Sequence, residues 1–122
     1  MILKLLPLTR QIDLVFKEVG EELANLSSGI VFVQICNNQM GKFGVRYDSI
    51  LNQDGGVERN SEGLSEIQRW AFRKLGIQSL KRKKNWTCGE ILFYFALKHG
   101  SLHTSVQFQS NYSMANLMSR RE

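Results

Sequence analysis

Residues 81–89, KRKKNWTCG, place four cations, an indole and a thiol in one short stretch. Three kinds of chemistry are open to such a set. Lys81, Arg82, Lys83 and Lys84 could neutralise phosphate, with Trp86 beside them as a stacking surface. Cys88 could act as a thiolate stabilised by Lys83 and Lys84, but a nucleophile without a base is poorly activated and no histidine lies close to it in the chain. Cys88, His99 and His103 are metal-ligating types, and the H-x3-H spacing is compatible with zinc. The ordinary alternative is a solvated loop after a helix whose last turn favours cations through its dipole. Trp86, which precedes a strand, either plugs the end of the core or stands exposed as an anchor for a protein partner, where Trp and Arg are enriched.

Other candidate groups are weaker. Glu62 and Glu66 lie one helical turn apart, a common surface arrangement that demands no catalysis. The glycines are scattered at turns, and DGG at 54–56 lacks the spacing of a phosphate loop. No segment carries a cofactor signature, so the expectation is a protein without catalytic residues, metal or cofactor.

Composition narrows the class. The 122 residues fit a single domain spanning 1–122, and 43% hydrophobic residues are enough to build a core. The net charge of +5 is localised: seven bases and no acid lie between Arg69 and Lys84, and the remaining nine bases against eleven acids balance to −2. Two cysteines, Cys36 and Cys88, are too few for a disulfide framework, so a reducing, cytoplasmic setting is the expectation. MILKLLPL carries a lysine and a proline inside its apolar run and reads as an extended lead-in over 1–8, not as a processed signal. No run of about 18 apolar residues occurs.

The elements that must position these groups follow from periodicity. Ile12, Val15, Phe16, Val19, Leu23 and Leu26 draw one stripe down a helix from Thr9, its N-cap, to about Asn25. GIVFVQIC (29–36) and KFGVRYDSI (42–50) read as a hairpin turning at NNQMG, with Val31, Val33 and Ile35 facing the same core as Phe43, Val45 and Tyr47. A second helix, capped by Asn60 or Ser61, carries Leu64, Ile67, Ala71 and Leu75 in register, with Trp70 and Phe72 flanking the stripe. Gly76 is placed to end it as a left-handed C′ residue, with Ile77 touching Phe72. In the last third, His99-Gly100 reads as a two-residue loop that pairs Lys98 with Ser101, Leu97 with Leu102, Phe95 with Thr104, Phe93 with Val106 and Ile91 with Phe108. The opposite face carries Glu90, Leu92, Tyr94 and Ala96 against His103, Ser105, Gln107 and Gln109. On this hairpin His99 sits at the tip, His103 on the wet face and Cys88 near the far end of strand 90–98. At about 3.3 Å per residue the three cannot converge on one ion. Residues 113–122 form a short terminal helix capped by Ser113, or a tail. The expected class is α+β, ordered α-β-β-α-β-β, with a four-stranded antiparallel sheet and two helices packed on one face.

NWTCGEILFYFALKHGSLHTSVQFQSNY, residues 85–112, resembles the carboxy-terminal part of the YezG-like immunity proteins. The positions that carry the likeness are Trp86 and Thr87 opening a strand, Gly100 in the turn, then Leu102, Val106, Phe108 and Tyr112. The resemblance implies a protein that neutralises a secreted nuclease toxin. That family is typically acidic, whereas this segment follows a basic corner.

Together these readings point to a small non-catalytic protein that inhibits or neutralises a protein partner with an acidic surface, in the manner of an immunity protein or antitoxin. Its expected contact residues are Arg73, Lys74, Lys81, Arg82, Lys83, Lys84 and Trp86, as a monomer or homodimer. The alternatives are nucleic-acid binding through the same corner and the wet sheet face, where Tyr94, Gln107 and Gln109 could meet bases, and a structural subunit pairing through an edge strand.

Overall fold

The computed structural model describes residues 6–47, 63–82 and 88–119. Its elements are α1 (Leu8–Glu18), α2 (Gly20–Leu23), β1 (Ser28–Cys36), β2 (Gln39–Arg46), α3 (Glu66–Ser79), a 3-10 turn (Leu80–Arg82), β3 (Cys88–Lys98), β4 (Ser101–Asn111) and α4 (Met114–Ser119). The four strands form one antiparallel sheet in the order β2-β1-β3-β4. α1, α2 and α3 pack on one side of it, as the α+β pattern requires.

The first amphipathic stripe is observed as expected: Ile12, Val15, Phe16, Val19 and Leu23 are all buried. Its start differs. The Pro7 carbonyl accepts from the Arg10 and Gln11 N–H groups at 2.9 and 3.0 Å, so Pro7 is the cap and Thr9 lies inside the first turn. Between α1 and α2 the backbone loosens at Val19, yet Leu23 N–H still donates to the Val19 carbonyl at 3.0 Å and the stripe is kept.

Both hairpins close with two-residue loops. Asn37 and Asn38 have φ of 53° and 61°, and His99 and Gly100 have 53° and 79°. Positive φ at both central positions gives the loop a twist that matches the strands it joins. The expected NNQMG turn is therefore shorter than its five residues: asparagine tolerates the left-handed region, so Gln39, Met40 and Gly41 belong to β2. A register shift absorbs the difference, with Val33 opposite Phe43 but Ile35 opposite Met40. Tyr47, expected on the core face, lies past the strand end and is 54% exposed, and Phe43 is partly exposed at the sheet edge. Asp48 to Ile50 lie outside the described residues. The second hairpin has the expected register at every position, extended by two residues to Cys88.

The core lies between the odd-numbered face of β1 and β3 and the helices. Val31, Val33, Ile35, Ile91, Phe93 and Phe95 meet the α1–α2 stripe and Leu64, Phe72 and Leu80. Four rings form its centre. Phe16 stands edge-on to Phe72 at 5.0 Å and to Phe93 at 5.3 Å, and Phe72 lies 5.4 Å from Phe95. Such edge-to-face pairs add about 0.5–1.5 kcal/mol each beyond area burial.

The second helix corrects the sequence reading most. Ser65 caps it: its hydroxyl accepts from Gln68 N–H at 3.2 Å, and Gln68 Oε1 accepts from Ser65 N–H at 2.9 Å. Asn60 and Ser61, the expected caps, lie outside the described residues. Leu64 therefore precedes the helix and does not set its phase. The buried side runs through Phe72, Gly76 and Ser79, while Ile67, expected in the core, is 79% exposed and Ala71 is exposed. Nor does Gly76 end the helix. A Cβ there would lie 2.6 Å from Phe16 Cε2, so the glycine lets the Phe16 ring lie against the α3 backbone. Ile77 stays helical and partly buried, and Ser79 returns its hydroxyl to the Gly76 carbonyl at 2.7 Å. Gly76→Leu is expected to destabilise the fold by about 1–3 kcal/mol through overpacking, read as a lower urea midpoint. An unchanged midpoint would mean that α1 and α3 do not meet at this residue.

Candidate functional site

With Phe72 turned inward, the outer side of α3 carries Ile67, Trp70, Ala71 and Lys74, a helical stripe facing away from the core. Ile67 is 79% and Trp70 55% exposed. Large apolar groups left in water at adjacent helical positions form a patch that a partner can desolvate. Lys74 Nζ lies 4.3 Å from the centre of the Trp70 ring, one helical turn away. This contact orders the indole and keeps its cation at the patch. Of the two aromatics expected to flank the buried stripe, Phe72 is buried and Trp70 faces outward. The sequence signal was present: in NSEGLSEIQRWAFRKLG two apolar stripes compete, and only one can face the sheet.

The expected contact residues separate into four groups. Arg73 pairs with Asp13 on α1, whose Oδ1 is buried, so its guanidinium ties the two helices together. Lys74 is engaged with Trp70. Lys81 and Arg82 stand exposed on the 3-10 turn that continues α3. Lys83, Lys84 and Trp86 lie outside the described residues. The described basic corner is therefore an apolar patch continued by cations, and Ile67 and Trp70 are the residues that charge counting missed.

The outer face of the sheet, even-numbered on β1 and β3 and odd-numbered on β4, is less wet than its sequence implied. Phe32 on β1 reaches over Gly44 of β2, where an added Cβ would sit 3.0 Å from the ring, and Arg46 stacks over the same ring at 4.6 Å. Beside it Leu92 is only 7% exposed, although it points away from the helices. Arg46 also approaches Glu90 at 3.7 Å, and Tyr94 donates to Gln107 Oε1 at 2.9 Å. These contacts occupy the groups that a base-binding platform would offer. At the end of this face Arg46, Tyr47, Tyr94, Lys98 and His103 surround a shallow open depression.

The thiols and imidazoles stand apart. Cys36 and Cys88 face each other across β1 and β3, their Cα atoms 3.9 Å apart, and are joined by a disulfide. Two cysteines are too few for a disulfide framework, yet they make this single link, and the sequence does not show that residues 52 apart are neighbours. His99 is in the turn at the other end of β3, roughly 35 Å from Cys88 at the rise of a strand, and His103 lies opposite Ala96 on the outer face. Among the described residues no group of three potential ligands could hold a metal ion, and no helix is long and apolar enough to cross a membrane. No family model matches the chain, and neither does any curated protein or solved structure.

Proposed function

We propose that the protein is non-catalytic and acts in the cytoplasm by binding and neutralising a protein partner with an acidic surface, as immunity proteins and antitoxins do. The observation that carries this reading is the exposed pair Ile67 and Trp70 on α3, with Lys74 stacked on the indole and Lys81 and Arg82 on the 3-10 turn that ends the helix. Hot spots combine an aromatic anchor with neighbouring groups that exclude water, and a cationic surround speeds encounter with an acidic surface. The YezG-like pattern of residues 85–112 agrees with this class of activity, and the outward charge of the corner selects an acidic partner.

The test is affinity capture from the native host, followed by titration of the purified partner. Trp70→Ala is expected to weaken binding about thirtyfold, the factor that corresponds to a hot-spot loss of about 2 kcal/mol, while K81Q/R82Q slows association with a smaller effect on dissociation. Trp70 is exposed, so the variant should melt with the parent. Equal affinity of parent and W70A for every captured protein would overturn the reading. A generic RNA or DNA probe held with an affinity that falls steeply between about 50 and 200 mM salt would replace it with nucleic-acid binding.

A further inference from the structure

The sheet has two edges, built differently. β2, at one edge, contains Gly41 and Gly44, carries Lys42 and Arg46, and has the register shift opposite Val33 and Ile35. Glycines, cations and an irregular register are devices that keep an edge strand from pairing with another chain. β4, at the other edge, has none of them. Its 11 residues, SLHTSVQFQSN, include no Lys, Arg, Asp, Glu, Pro or Gly, and they pair with β3 in an uninterrupted register from Ser101 to Asn111. Within the described sheet β4 has a strand neighbour on one side only. Just after it, Tyr112, Met114 and Met118 are 89%, 69% and 61% exposed.

We infer that β4 pairs antiparallel with β4 of a second copy, joining two four-stranded sheets into one. The strand suits its own copy. A two-fold axis at Val106 sets Val106 against Val106 of the partner copy, Thr104 against its Phe108 and Ser105 against its Gln107. Even-numbered residues then meet even-numbered ones, so the core-side face continues across the joint and the polar outer face does likewise. A slip of one residue would place apolar side chains opposite polar ones. Although the chain carries a net +5, the strand itself carries no formal charge, so this pairing brings no like charges together. The α3 patch lies on another element.

Sedimentation velocity from about 1 to about 300 µM tests the inference. The parent chain is expected to shift from monomer to dimer across this range. Ser105 and Gln107 are exposed, so S105K/Q107K should fold like the parent, checked by its melt in dilute solution. Because it opposes lysines twice across the axis, it should dissociate at least about tenfold more readily. S105E/Q107K opposes unlike charges at the same two places and should restore the dimer. A parent that stays monomeric throughout overturns the inference. So does a dimer whose dissociation constant is the same in S105K/Q107K, or one that S105E/Q107K fails to restore.

Discussion

Phe72→Ala is expected to lower the stability of the fold by about 3–5 kcal/mol, whereas Ile67→Ala, five residues earlier on the same helix, should cost less than about 0.5 kcal/mol. The sequence pattern alone would have reversed the two. Phe72 is fully buried and makes ring contacts with Phe16, Phe93 and Phe95, linking α1 and β3 in one cluster. Truncating it leaves a void that the rings can fill only by abandoning their edge-on packing. A loss of this size consumes much of the stability of a domain that has about 5–15 kcal/mol in all. Ile67 has little to lose, because most of its surface already faces water. Urea denaturation of the two variants would decide the matter, and equal midpoints would show that α3 faces the sheet with a different side.

Removing the Cys36–Cys88 link should be the next largest effect. It joins residues 52 apart in sequence, and closing a loop of that length restricts the unfolded chain by roughly 2–4 kcal/mol. In the reducing conditions of the cytoplasm the pair would be held as thiols, so this increment depends on the redox state of the surroundings. Scanning calorimetry with and without reductant should show the parent melting on the order of 10 °C lower when reduced. C36S/C88S should melt at the lower temperature under both conditions. A parent whose melt ignores reductant would show that the link contributes nothing to stability.

What the sequence disclosed was governed by how few solutions each local pattern allowed. The β3–β4 hairpin was legible residue by residue, because alternation and the His-Gly loop leave a single register. α1 and α2 were legible because one side of the run is apolar and the other carries Asp13, Lys17, Glu18, Glu21 and Glu22. α3 was not, since its apolar residues lie on two sides and the choice between them is made by Phe16 and the β3 rings, which are remote in the chain. The same remoteness hid the pairing of Cys36 with Cys88. It also concealed the closure of the outer sheet face, where Phe32 covers a glycine on the neighbouring strand. Of the expected contact residues, charge alone singled out Lys81 and Arg82, which stand exposed. Only the helix phase shows that Arg73 is a tie to Asp13 and that Trp70 is the exposed aromatic.

The strand order β2-β1-β3-β4 has a kinetic consequence. Two of its three joints close through two-residue loops, and such hairpins form on a timescale of about 1–10 µs. The third joint, where Val31 meets Phe93, brings together residues about sixty positions apart and must overcome a much larger loop-closure entropy. The central joint and the Phe16–Phe72–Phe93 cluster that covers it are therefore expected to limit the folding rate, with the two hairpins forming ahead of it.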